Sequence, residues 1–229
     1  MKKIMIVNTS ADYFAGTQKK TGLWLGELVH FYDYFQDKAV QIDLYNVNGG
    51  NIPIDPVSLR PFMLDKVTKR YYQDTQFMML LKNTKSLHEA TPQDYDVIYF
   101  TGGHGVMFDF PNNEDIQYAI NEVYQHGGIV SAVCHGVAAL LNVKDADGQY
   151  LIKDKSVTGF SDVEEVLANR RKIVPFMLEQ ELKARGAQYS KAKVPFIPYV
   201  QVDDRLVTGQ NPQSPKRVAE TVGQLLGLK

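Results

Sequence analysis

The sequence predicts an α/β fold in which a mostly parallel sheet is covered by helices on both faces. Three observations carry this expectation. Short apolar runs at 4–7, 96–100 and 129–133 have the length and β-branched content of buried strands. Between them lie stretches with helical spacing, such as Leu23, Leu25, Leu28, Val29, Tyr32 and Phe35. A strand, a sharp turn of small residues and a helix recur in that order, and parallel strands need such helical crossovers.

Along the chain, residues 4–7 form a first strand, followed by a polar loop and a helix through Phe35. Residues 40–45 alternate apolar and polar with period two and are bounded by Asn, Gly and Pro, which defines a second strand. Residues 49–92 mix prolines with a Lys-, Arg- and Tyr-rich helical stretch at 66–82 and show no strand pattern, which predicts a small helical insertion acting as a lid. A buried strand at 96–100 runs into Thr101-Gly102-Gly103-His104-Gly105, and a helix over 113–126 is stopped by Gly127-Gly128. The strand at 129–133 enters Cys134-His135-Gly136 and a helix through Leu141. Further on come a short strand at 156–158 and a helix over 175–185 ended by Gly186. A hairpin across Asp203-Asp204 and a closing helix over 214–226 complete the pattern.

With 44% apolar and 22% charged residues, the 229-residue chain can bury a sizeable core and lacks the polar bias of a disordered protein. The 25 Lys and Arg nearly balance 26 Asp and Glu, so no global basic field attracts nucleic acid. No apolar run approaches the roughly 18 residues of a membrane span, and the apolar part of residues 1–8 is too short for a secretory leader. Cys134 is the only cysteine, which rules out an internal disulfide and a cysteine-built zinc site and fits a reducing, cytoplasmic setting.

Cys134 is also the sharpest chemical feature. Ala132-Val133-Cys134-His135-Gly136 puts the thiol at the tip of a strand-to-helix turn flanked by small residues, the nucleophile-elbow arrangement with sulfur in place of oxygen. Such a turn exposes the side chain, and the N-terminus of the following helix is expected to lower the thiol pKa. A nucleophilic thiol needs a base. The five histidines are His30, His88, His104, His126 and His135. None follows residue 135, which disfavours a glutamine amidotransferase whose base comes from a later His-x-Glu. His135 is adjacent to the thiol, whereas His88 and His126 sit in polar surroundings and read as surface residues. A carboxylate should orient the imidazole, and Asp162, Glu164 and Glu165 are the candidates.

Glu27 lies among apolar residues in the first helix. Placed near the elbow it would have a raised pKa, and its protonated carboxyl would hydrogen-bond the thiolate. Glu27 and His30, one turn apart, give two potential metal ligands without a third, so no metal site is assigned. Gly102-Gly103-His104-Gly105 ends a strand and lets backbone N–H groups approach a ligand as an oxyanion hole requires, with Gly103 and His104 as oxyanion or substrate-binding residues.

Taken together, these segments resemble the ThiJ/PfpI superfamily, and within it the branch of glutathione-independent glyoxalases and heat-shock holding chaperones. The resemblance rests on Thr21-Gly22 with Glu27, Phe100 to Gly105, the Cys134 elbow, Val157-Thr158-Gly159-Phe160 before Glu164-Glu165, and Leu206 to Pro212. It implies a single domain over 1–229 with a flavodoxin-like three-layer sandwich. It also implies Cys134 as nucleophile, His135 as base, Glu165 as third member and Glu27 beside the cysteine, with oxyanion donors from Gly103 and the His135 backbone. The implied activity is cofactor-independent conversion of methylglyoxal or a similar 2-oxoaldehyde to the 2-hydroxy acid, by a homodimer acting on a small aldehyde. A cysteine peptidase or amidase, and a stress-response holding chaperone or redox sensor, are the alternative readings of the same residues.

Overall fold

Residues 1–228 are described by the computed structural model of the chain. Among these residues nine strands form: β1 Lys2–Asn8, β2 Val40–Asn46, β3 Lys85–Ser86, β4 Val97–Phe100, β5 Ile129–Val133, β6 Ser156–Val157, β7 Gln188–Tyr189, β8 Val200–Asp203 and β9 Leu206–Gly209. The main sheet has the order β3-β2-β1-β4-β5-β9-β8. All its neighbours pair in parallel except β8 with β9. Burial follows that order. Strands β4, β5 and β9 are buried at every residue, while β2 and β8 are largely half-buried near the edges.

The described residues form eight α-helices, seven between strands and one after the last: α1 Leu25–Gln36, α2 Lys66–Gln73, α3 Thr75–Lys82, α4 Val106–Asp109, α5 Glu114–Gln125, α6 Asp162–Leu167, α7 Leu178–Ala184 and α8 Pro215–Leu225. The step from β1 to β2 runs one way along the sheet and the step from β4 to β5 the other. Right-handed crossovers therefore put α1 and α5 on opposite faces. Helix α1 packs against α8 and α2, and α5 packs against β4 and β5. The reversal falls between β1 and β4, and in open parallel sheets this switch point opens a crevice at the carboxyl ends of the strands.

Residues 49–92 differ from the expected helical lid. The 66–82 stretch breaks at Asp74, which ends α2 and caps α3 by accepting from the Gln76 and Phe77 N–H groups. Lys85–Ser86 pairs with Tyr45 and Asn46 of β2, so the segment contributes an edge strand that a two-residue pattern does not reveal. Its Pro53 carbonyl accepts from the Leu23 N–H and its Asp55 N–H donates to the Leu23 carbonyl, which fastens the segment to the loop after β1. Ser156–Val157 joins a separate two-stranded sheet with Gln188–Tyr189 rather than the main one. The turn after Cys134 is a 3-10 helix over Cys134–Leu140. The expected helix at 175–185 forms only from Leu178, after Pro175 and Phe176.

Candidate active site

Three loops meet at the switch point: residues 9–24 after β1, 101–105 after β4, and the turn into Cys134 after β5. Cys134 has φ +57°, a left-handed conformation that a side-chain-bearing residue adopts only under constraint from its surroundings. Part of that constraint comes from Gly136, where a Cβ would stand 2.5 Å from the Thr101 carbonyl oxygen and 2.6 Å from that of Phe100. Substituting Gly136→Ala should cost about 1–3 kcal/mol by overpacking backbone that cannot yield, read as a lower urea midpoint at unchanged slope.

The thiol is held in a chain of polar contacts. Cys134 Sγ lies 3.4 Å from His135 Nδ1, and His135 Nε2 lies 2.7 Å from Glu165 Oε2. Glu165 Oε1 lies 2.9 Å from His104 Nε2. All four residues are buried. Burial alone would push the Glu165 carboxyl up, but His135 and His104 outweigh it and hold the carboxyl well below its usual range. An ionised carboxylate only accepts hydrogen bonds, so both rings carry their proton on Nε2. That leaves His135 Nδ1 facing the sulfur as the proton acceptor. His104 is pushed down to about 4 by burial and by His135, and it is neutral at physiological pH.

The three acidic candidates are sorted by where α6 places them. Glu164 closes a capping box with Ser161 and accepts from the Phe196 N–H and Asn211 Nδ2. Asp162 meets Gln180 away from the imidazole, and Glu165 alone reaches His135. The helix ends in a Schellman turn: Asn169, at φ +55°, donates its N–H to the Val166 carbonyl, and the Arg170 N–H donates to that of Glu165. Asn169→Gly should leave stability within a few tenths of a kcal/mol. Asn169→Val should cost about 1–2 kcal/mol, because a β-branched side chain resists the left-handed region; chemical denaturation of the two variants checks this.

Glu27 is fully buried, with Oε2 accepting from the Gly102 N–H at 2.8 Å. A Cβ on Gly102 would lie 2.5 Å from Oε2 and 3.0 Å from the Cys134 Cβ, so only glycine lets the carboxyl approach. Tyr99 fixes the helix from below, stacked on Phe31 with ring centroids 3.7 Å apart and donating to the Glu27 carbonyl. Burial pushes the Glu27 carboxyl up to about 8, against opposing hydrogen bonds from Cys134 and Gly102. Oε1 has no partner with good hydrogen-bond geometry. With Oε2 occupied as an acceptor, Oε1 is the atom left to carry the proton toward the thiol.

The expected lowering of the thiol pKa by the following helix does not occur. Burial pushes Cys134 well above its usual value, an ionised Glu27 pushes it the same way, and the backbone N–H of His135 opposes both. A short 3-10 turn supplies too little dipole to outweigh loss of water around the sulfur. Thiolate formation therefore depends on a neutral Glu27 and on His135.

Gly103, at φ +101°, packs against the Gly22 carbonyl and Trp24 N–H, and no described residue accepts from its own N–H. His104 is directed to Glu165 and its ring lies 4.1 Å from that of His135, so its side chain belongs to the imidazole network rather than to an oxyanion hole. His30 pairs with Asp65 at 2.6 Å, away from the Gly102 contact of Glu27, so those two residues do not converge as metal ligands. Ligand atoms of His104, His135 and Glu165 lie within 4.8 Å of one another, but their mutual hydrogen bonds occupy the same atoms. His88 and His126 are exposed.

Sequence reading missed the loop that walls the site. Asp109 accepts from Thr9 Oγ1 and from the Ser10 and Ala11 N–H groups, which holds the 9–14 segment so that Phe14 packs on His104 with ring centroids 5.6 Å apart. Burial pushes the Asp109 carboxyl up to about 6. Arg170 also packs on Phe14, its guanidinium carbon 5.1 Å from the ring centroid. No motif in the sequence marks Arg170.

Among solved structures, the chain is similar to the Rapid Encystment Protein 24 KDa of Francisella tularensis, with a TM-score of 0.94, 43% identity and 99% of each chain covered. It is 35% identical to "Glyoxalase 3" of Candida albicans over 230 residues, covering 97% of both chains. It is 33% identical to "Glutathione-independent glyoxalase HSP31" of Saccharomyces cerevisiae over 221 residues, 93% of both. No helix among the described residues is long and apolar enough to cross a membrane. Residues 27–224, from the buried Glu27 through the elbow to the last helix, match the DJ-1/PfpI family, and the chain belongs to it.

Proposed function

We propose that the protein is a glutathione-independent glyoxalase that converts methylglyoxal or a similar small 2-oxoaldehyde to the 2-hydroxy acid. The observation that carries this reading is the relay from Cys134 Sγ to His135 Nδ1 and from His135 Nε2 to Glu165, with the Glu27 carboxyl at the same sulfur. Two relatives similar over nearly the whole chain bear the glyoxalase name. Burial favours a small substrate over a peptide: Cys134 is 2% and His135 1% exposed, out of reach of a folded polypeptide.

The reaction follows from these groups and water. His135 Nδ1 takes the thiol proton as the sulfur adds to the aldehyde carbon, giving a hemithioacetal. A proton then leaves C1 and is returned to C2 through an enediolate, with His135 as carrier and Glu27 assisting. The buried Gly103 N–H, without a partner among the described residues, is the backbone donor available to the developing oxygen charge. The product is a thioester, which water hydrolyses to the 2-hydroxy acid and the free thiol. C1 is oxidised as C2 is reduced, so the electrons balance within the substrate. Purified protein given methylglyoxal without glutathione should release lactate; none at millimolar substrate would remove the reading.

Glu27 supplies a pH signature. It must be neutral to donate to the sulfur, and its carboxyl ionises at about 8. Wild-type kcat/KM should therefore fall as pH rises through about 8, because an ionised Glu27 pushes the thiol further up. Glu27→Gln, which donates at every pH, should lose that limb; an unchanged profile would assign the limb to another group. The thiol and carboxyl titrate as a pair, so the midpoint belongs to both.

A further inference from the structure

The groups that carry the proposed reaction, Cys134, His135, Glu165 and Glu27, are all buried. A 2-oxoaldehyde therefore meets the sulfur only if part of the cover moves. Most of the cover is tied down. Helix α1 is held at Glu27 by the Tyr99 hydroxyl and the Gly102 N–H. Helix α6 is held by its capping box and by the Phe196 N–H and Asn211 Nδ2 donating to Glu164. The segment 191–199 beside Phe160 is fixed by the Ala192 N–H on Gln210 and by Asn211 on the Ile197 carbonyl.

Residues 12–20 are held differently. They form a hairpin closed at its base by the Thr21 N–H on the Asp12 carbonyl, bridged between Tyr13 and Lys20, and crossed by the Phe14 N–H on the Lys19 carbonyl. Among the described residues, every hydrogen bond that 12–20 makes stays within 12–21. Eight of the nine residues are exposed, and Phe14 alone is buried. Its ring lies 5.6 Å from that of His104, 5.9 Å from that of Phe108 and 5.1 Å from the Arg170 guanidinium carbon.

The feet of the hairpin, by contrast, are fixed, and they stand on the wall of the thiol site. Asp109 holds Thr9, Ser10 and Ala11 on one side, and Pro53 and Asp55 hold Leu23 on the other. A Cβ on Gly105 would lie 2.7 Å from the Ala11 carbonyl oxygen, one on Gly103 would lie 2.6 Å from the Trp24 nitrogen, and one on Gly102 would lie 3.0 Å from the Cys134 Cβ. The hairpin thus straddles His104, whose ring is 4.1 Å from that of His135, and His135 Nδ1 is 3.4 Å from the sulfur.

We propose that residues 12–20 are a hinged cover over the thiol site, latched shut by the Phe14 ring on His104 and turning on feet fixed by Asp109 and by the 53–55 segment. Burying one phenyl ring favours the closed form by a factor on the order of 10–100. Such a latch excludes water during the reaction and releases without unfolding the sheet. The inference rests on the glyoxalase reading for the need to admit a substrate, but not for the geometry of the cover.

Alkylation of Cys134, the only cysteine, by iodoacetamide tests it. In the wild type the rate should be nearly flat in urea well below the unfolding midpoint, as a local opening requires; a rate that rises with the full unfolding slope at every concentration would overturn the proposal whether or not any variant folds. Phe14→Ala should raise the flat rate at least tenfold, and Phe14→Leu, which keeps part of the latch, should raise it less. Phe35→Leu, which trims a buried ring at the far end of α1, should lower the urea midpoint and leave the flat rate alone. Both forms react from the same open state, so the pH dependence of alkylation should be the same in wild type and Phe14→Ala. An unchanged rate in the Phe14 variants, an equal gain in Phe35→Leu, or a gain explained by a shifted pH profile would overturn the proposal. Failure of the wild type to form lactate would remove the glyoxalase reading alone, because alkylation needs no turnover.

Discussion

Cys134→Ala is expected to lower kcat for lactate formation from methylglyoxal by roughly 10⁴-fold or more, since the covalent path begins at the sulfur and no other thiol exists in the chain. The fold should survive. Alanine carries the same Cβ into the left-handed φ of +57°, so backbone strain is unchanged. The loss is one buried sulfur, worth about 1 kcal/mol, which shifts the melting temperature of a chain this size by about 2–4 °C. Residual turnover near wild type in a folded variant would place the chemistry elsewhere, whereas a large loss of melting temperature would make the elbow structural. Intact mass after exposure to substrate gives a second check, because a thioester or hemithioacetal adduct should appear on wild type only.

Glu165→Gln should have the next largest effect, on the order of 10²–10⁴ in kcat. The carboxylate accepts from two rings at once, and the amide offers only one acceptor oxygen. When its NH₂ faces His135, the ring must accept at Nε2 and carry its proton on Nδ1, where it can no longer take one from the sulfur. Glu165 is thus a positioning residue, and the effect should fall on kcat more than on KM. Its stability contribution has a definite pH sign. The folded pKa lies below the ordinary value of 4.5, so the stabilisation is fully present above about 4.5 and is lost as pH falls toward the folded value. The urea midpoints of wild type and Glu165→Gln should therefore lie furthest apart near neutral pH and converge in acid. A constant gap across pH would mean that the carboxylate is not ionised by its histidines.

Much of the frame was legible because its signals are local. Buried central strands must be apolar, so residues 4–7, 97–100 and 129–133 announced themselves, and turns that need small residues put Gly102, Gly103 and Gly136 where backbones approach closely. Edge strand Lys85–Ser86 was not legible, since two residues carry no period and its pairing depends on Tyr45 and Asn46, about forty positions away. The break at Asp74 was written in its capping chemistry but hidden inside a continuous helical composition.

The site divides in the same way. Sequence by itself determined the single thiol, the adjacent imidazole, the elbow that joins them and a short set of acids, because each follows from residue identity at neighbouring positions. Only the tertiary structure decided that Glu165 rather than Asp162 or Glu164 meets His135, that His104 shares that carboxylate, and that Arg170 is buried against Phe14. It also reversed the direction of the thiol's pKa. Proton affinities and partner choice depend on how much water is excluded and which charges converge across distant segments, and those are properties of packing rather than of any local stretch of chain.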